Sequence, residues 1–197
     1  MIRLALTGSI AMGKSTVARM FEAAGIPLFD ADRVVHQLQV EDPKVVAAIA
    51  ARFPGTVKDG KLDRDALRAA VLGDSVALEA LEAIVHPAVE AARVAFIAAH
   101  GNAPALLFDI PLLFETGAAD AFDKVIVVTA PTDIQRARAL DRPGMTVEKL
   151  DAILSRQMPD AEKRRRADFV IENGGDLSET ERQVEAIIAC LGLAQGR

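Results

Sequence analysis

The chain has 197 residues, 51% hydrophobic and 26% charged, with a formal net charge of −5. These proportions suit one sizeable packed core and exclude a disordered chain, and the negative balance argues against nucleic acid as a main partner. The single Cys190 excludes an intrachain disulfide, and no apolar run approaches the ~18 residues of a membrane span or follows a basic leader, so the cytoplasm is the expected location.

"IRLALT" (2–7) is a short apolar run ending at a glycine and predicts a buried strand. "KSTVARMFEAAG" (14–25) puts Val17, Met20, Phe21 and Ala24 on one helical face, with Gly25 as the stop. "IPLFD" predicts a second strand and "ADRVVHQLQ" a second helix, so the chain opens as a βαβ unit. From about residue 42 to 101 the pattern is helices and turns with no buried strand. "FPG" and "KDGK" are turns, and "DSVALEALEAIVHPAVEAARVAFIAAH" is helical on both sides of Pro87, which is expected to open a new helix. Strands return in "PALLFDIP" and "DKVIVVTA", followed by the helix "TDIQRARALDR". "MTVEKLDAILSRQM" predicts a polar helix standing away from the core. "ADFVIEN" is the last strand and "LSETERQVEAIIACLG" the closing amphipathic helix. The expectation is an α/β fold with a parallel sheet flanked by helices and interrupted by two helical excursions.

Between the first strand and the first helix, Gly8-Ser9-Ile10-Ala11-Met12-Gly13-Lys14-Ser15 fits G-x-x-x-x-G-K-[ST]. Glycines there let backbone N–H groups turn inward around phosphate oxygens, and the following helix adds the positive end of its dipole. The Lys14 ammonium can reach β- and γ-phosphates, and the Ser15 hydroxyl can ligate Mg²⁺. With the parallel sheet, this loop points to the three-layer fold of P-loop nucleoside-triphosphate hydrolases. Such loops serve kinases, ATPases and GTPases alike, so the acceptor must be read elsewhere. The chain has no N-K-x-D guanine-reading motif, which argues against a GTP-dependent switch.

Two readings apply to most of the other polar candidates. Asp30 and Asp32 follow the second strand, where a carboxylate can orient an acceptor hydroxyl or hold Mg²⁺ through water, or can simply cap the next helix. Asp109 ends the third strand of the expected sheet, as a second Mg²⁺ carboxylate or a turn cap. Arg136, Arg138, Arg142 and Arg156 can neutralise γ-phosphate charge from a mobile flap, or belong to a solvated face. "KRRR" (163–166) reads as the solvated edge of that flap. His36, His86 and His100 read more readily as structural than catalytic.

The motifs "LTGSIAMGKSTVA", "GIPLFDADRVVHQL", His86-Pro87, "DIPLLFETG", Gln135 with Arg138 and Arg142, Gln157 and "ADFVIENGG" together resemble the dephospho-CoA kinase family over nearly the whole chain. The resemblance implies ATP- and Mg²⁺-dependent phosphorylation of the ribose 3′-hydroxyl of dephospho-CoA; another small-molecule or nucleoside P-loop kinase is the alternative. It implies a nucleotide-binding core (1–41, 102–140 and 167–197), a helical acceptor region (42–101) and a lid (141–166). It implies nucleotide contacts at Gly8, Ala11, Met12, Gly13, Lys14, Ser15, Thr16, Asn173 and Gly175, and acceptor contacts at Asp32, Arg64, His86 and Pro111. Asp32 takes the place of the general base, with Lys14, Arg138 and Arg142 completing the catalytic set. Pro143 stands where an aspartate is common after the lid arginine, and the phenylalanine common around Leu72 is absent.

Overall fold

The computed structural model describes residues 1–58 and 60–193; Asp59 of the "KDGK" turn and residues 194–197 of the expected core stretch lie outside them. In chain order the elements begin with β1 (Ile2–Thr7), α1 (Lys14–Ala23), β2 (Leu28–Asp30), α2 (Ala31–Glu41), α3 (Pro43–Arg52), β3 (Val57–Lys58), β4 (Lys61–Leu62) and α4 (Arg64–Val71). They continue with α5 (Ser75–Ala99), β5 (Ala105–Asp109), β6 (Lys124–Thr129), α6 (Thr132–Leu140), α7 (Val147–Leu154), α8 (Asp160–Arg166), β7 (Phe169–Glu172) and α9 (Leu177–Cys190). The chain divides into two compact units, one of residues 1–29 with 100–197 and the other of residues 30–99.

The first unit is built on a five-stranded sheet of order β2-β5-β1-β6-β7. β1 pairs in parallel with β5 and β6, and β6 in parallel with β7. Both faces of this sheet are covered, which is why its strands read as unbroken apolar runs rather than alternating ones. Leu4, Leu6, Ile126 and Val128 enter one core with Val17 and Phe21 of α1 and Val184 and Ile188 of α9. The intervening Ala5, Val125 and Val127 enter a second core with Leu113. The carboxyl ends of β1, β5 and β6 lead into the segments that carry the charged candidates.

The second unit is helical apart from the antiparallel β3–β4 hairpin. Each of its helices begins at an aspartate. Asp30, Asp42, Asp63 and Asp74 accept the backbone N–H groups of Arg33, Val45, Ala66 and Ala77. The unit begins at Asp30, where the sequence placed its boundary at 42, because α2 packs on α3 and α5. Residues 141–166 group with the first unit.

α5 corrects one expectation. The helix runs from Ser75 to Ala99 without a break, with Pro87 inside it. Ala77, Leu81, Ile84 and Ala88 form one stripe that crosses the proline and packs on Val45, Ile49, Phe53 and Leu67. Burial along that stripe outweighs the hydrogen bond Pro87 cannot donate to the carbonyl of Ala83. Because Pro87 sits in a helix interior, Pro87→Ala is expected to stabilise the protein by about 1–3 kcal/mol. Equilibrium urea unfolding checks this; a helix starting at Pro87 would give no gain.

Candidate functional site

Residues 8–13 turn the chain from β1 into α1. Gly13 has φ 86° and Ala11 φ 62°, both in the left-handed region. A Cβ on Gly8 would stand 2.6 Å from the Val128 carbonyl oxygen, and one on Gly13 would overlap the Asn173 amide, so these two positions require glycine. α1 starts with no side-chain cap and no acidic residue in its first turn. Its leading amides and the positive end of its dipole are left for an anion. Lys14 Nζ is ion-paired with the Asp109 carboxylate at the end of β5, and both side chains are largely buried. Ser15 is exposed beside them and Thr16 half-buried. A hydroxyl and a carboxylate flanking this lysine are hard oxygen donors of the kind Mg²⁺ prefers. Among the described residues no group of three His, Cys, Asp or Glu side chains could hold a metal alone. A cation at Ser15 and Asp109 would therefore share its shell with phosphate and water.

Asn173, expected beside the nucleotide, is 5% exposed and fully engaged elsewhere. Its Nδ2 donates to the Met12 carbonyl at 2.9 Å, its Oδ1 accepts from Thr180 Oγ1 at 3.2 Å, and its N–H donates to the Thr129 carbonyl at 2.7 Å. Arg138 Nη1 donates to the Asn173 carbonyl at 2.8 Å, which sets this guanidinium beside Gly13. Asn173 thus clamps the phosphate loop by its backbone. Gly175 is exposed after it. Arg142 is exposed in the turn beyond α6, whereas Arg136 is paired with Asp151 at 2.8 Å on the surface.

Residues 145–158 do not stand away from the core. Leu150 of α7 is fully buried against Ala11 and Ala139, with Ile10, Met145 and Leu154 packed around them. The Ile10 N–H donates to Gln157 Oε1 at 3.0 Å, and Gln135 Nε2 donates to the Ile10 carbonyl at 2.9 Å. The solvated reading of "KRRR" holds for Arg164, Arg165 and Arg166, which pair with Glu172 and Glu162 at the surface. It fails for Lys163, which is fully buried with Nζ 2.9 Å from Glu115 Oε1. Burial pushes the Glu115 carboxyl up, but the Lys163 ammonium and the Met158 N–H outweigh it and hold the pKa below the usual value. Nothing in a run of four basic residues singles out the one that is buried.

In the helical unit, Asp30 Oδ1 is taken up in capping α2, at 2.9 Å from the Arg33 N–H. Asp32 is exposed in the first turn of the same helix. It lines a cavity of about 370 Å³ with His36, Arg64, Leu67, Arg68 and Leu81. Arg64 Nη2 donates to the His36 carbonyl at 3.3 Å across that cavity's wall. Two expected acceptor residues, Asp32 and Arg64, thus share one opening. His86 is exposed on α5 outside that lining, and Pro111 follows β5, where its carbonyl accepts from Thr7 Oγ1 at 3.3 Å. A larger cavity of about 610 Å³ between α2, α3 and α5 holds none of the expected residues.

A family model for dephospho-CoA kinase (CoaE) matches residues 2–179. The dephospho-CoA kinase of Mesorhizobium japonicum is 56% identical over 193 residues, covering 95% of each chain. That of Novosphingobium aromaticivorans is 54% identical over 188 residues, covering 95% of this chain and 94% of its own. Among solved structures, a Thermus thermophilus protein superposes with a TM-score of 0.83 at 36% identity, covering 96% of this chain and 97% of its own. The dephospho-CoA kinase from Campylobacter jejuni superposes at 0.67 and 27% identity, covering 96% of each. Shikimate kinase from Bacteroides thetaiotaomicron, at 0.52 and 16% identity, shares the fold. A phosphate loop held between parallel strands, and relatives that match almost end to end, place this chain in the dephospho-CoA kinase family.

Proposed function

We propose that the protein transfers the γ-phosphoryl group of ATP to the ribose 3′-hydroxyl of dephospho-CoA, the last step of coenzyme A synthesis, as a cytoplasmic enzyme. What carries the reading is family membership across residues 2–179 together with a phosphate loop backed by Lys14 and Asp109. The loop amides and the start of α1 receive the triphosphate. Lys14 exchanges the Asp109 carboxylate for β- and γ-phosphate oxygens, which frees Asp109 to join Ser15 as an oxygen donor. Mg²⁺, when bound, offsets charge on those phosphates. Arg138 and Arg142 neutralise charge on the transferring group, and the 141–166 arm serves as the lid that excludes water.

On the acceptor side, Asp30 is occupied as a helix cap, so Asp32 is the carboxylate that takes the hydroxyl proton as its oxygen attacks the γ-phosphorus and ADP departs. Arg64, with Asp32 on the wall of the same cavity, binds an anionic part of the acceptor. His86 and Pro111 are kept as acceptor contacts on the resemblance alone. Asn173 and Met12 act on the nucleotide through the shape of the loop. The reading is tested by incubating the protein with ATP, Mg²⁺ and dephospho-CoA and locating the new phosphate by mass and ³¹P spectroscopy. CoA and ADP in equal amounts are expected; no product from dephospho-CoA, with another alcohol phosphorylated instead, overturns it.

Lys14→Ala is expected to lose about 10²–10³ in kcat while keeping a native unfolding profile. Near-normal turnover by the folded variant would remove the role of the phosphate loop. Asp32→Asn is expected to bind ATP as the wild type does and to lose about 10²–10⁴ in kcat at saturating dephospho-CoA. Asp30→Asn, which substitutes one good helix cap for another, is expected to keep its turnover. An inactive Asp30 variant beside an active Asp32 variant would exchange the two roles.

A further inference from the structure

Gln157 lies in the turn between α7 and α8, and the mechanism above leaves it without a role. Its Oε1 accepts the Ile10 N–H, while Gln135 holds the Ile10 carbonyl. Both backbone groups of that loop residue are therefore set by side chains from other segments. The next residue, Ala11, keeps φ 62°, a conformation an alanine holds only where its surroundings impose it. Gln157 is itself held from behind. The adjacent Met158 N–H donates to Glu115 Oε1 at 2.8 Å, and the same oxygen carries the ion pair with the buried Lys163. A buried ion pair is costly to desolvate and is weak ground for stability by itself. What this one does in the fold is directional. It ties the segment after β5 to residue 158, one residue from the contact with the phosphate loop.

We propose that Gln157 is a positioning residue for the nucleotide: the Glu115–Lys163 pair fixes residues 157–158, and Gln157 fixes the tip of the phosphate loop in its phosphate-receiving shape. The inference rests on residues 8–16 being the ATP site and not on which acceptor is used. It extends the role of "PLLFE" from strand end to loop support.

The test pairs direct titration of Mg·ATP with steady-state kinetics. Gln157→Met keeps the size of the side chain and removes the acceptor oxygen. The Kd and KM for ATP should rise about 3- to 12-fold, the scale of one lost hydrogen bond. The KM for dephospho-CoA should stay at the wild-type value, and the thermal midpoint should fall by no more than the few degrees that one lost hydrogen bond costs. Lys163→Met alone would leave the Glu115 carboxylate buried, with an Oε2 that already has no hydrogen-bond partner among the described residues. The pair is therefore removed together, as Glu115→Leu with Lys163→Met, which should reproduce the ATP-specific loss, with a thermal midpoint lowered only by the Met158 N–H that loses its acceptor. Adding Gln157→Met to that double variant should cost little more, because the three residues act in series. Unchanged ATP affinity in Gln157→Met overturns the proposal, as does an equal loss for both substrates with a fallen midpoint. Additive losses in the triple variant overturn the part assigned to the ion pair. If the double variant does not fold, Gln157→Met still decides the role of Gln157. If the wild type binds ATP but leaves dephospho-CoA unchanged, the functional reading fails while the titration continues to test Gln157.

Discussion

A loop that turns its amides toward an anion cannot satisfy them within its own backbone, so something outside must hold its shape. Here that support is distributed over the chain. Asn173 holds Met12 from the end of β7, Gln135 and Gln157 hold Ile10, and the Met12 Sδ accepts the Ala130 N–H at 3.1 Å. Each of these partners is more than 100 residues away in sequence. The sheet order serves the same need: these four supports all follow β6 or β7, on one side of β1, while β5 on the other side brings Asp109 to Lys14.

What could be read from residues alone follows from how local each constraint is. The phosphate loop was legible because the chemistry demands its glycines, lysine and serine at fixed spacing. The strands of the main sheet were legible because a sheet covered on both faces writes uninterrupted apolar runs. Pro87 misled because punctuation is a local signal, while the stripe from Ala77 to Ala88 draws its stability from helices elsewhere in the unit. Lys163 was illegible for a related reason. Its only mark of burial is a carboxylate at position 115, and no spacing rule connects the two. Asn173 was placed near the nucleotide by resemblance, but its contact with the phosphate loop, through the Met12 carbonyl, needed coordinates.

The two units use different physics to the same end. The sheet unit orders its charges by strand ends and long-range clamps. The helical unit starts each helix with an aspartate that captures an N-terminal amide, so its elements are locally delimited before they pack. That arrangement separates Asp30 from Asp32. The first is consumed in delimiting α2, and the second is left with its carboxylate in solvent beside Arg64.

Ala11 has an evolutionary consequence. Its left-handed backbone costs roughly 1–2 kcal/mol, which glycine would relieve. Glycine would also remove a methyl packed between Ala139 and Leu150, worth about 0.8 kcal/mol, and would free the unfolded chain by about 0.4–1 kcal/mol. The two sides nearly cancel, so drift between alanine and glycine is close to neutral at this position. Larger or β-branched residues are barred on both counts, by torsion and by the wall that Leu150 presents. The phosphate loop can therefore carry either alanine or glycine at position 11 without losing its shape, provided the arm that covers it keeps an apolar residue at 150.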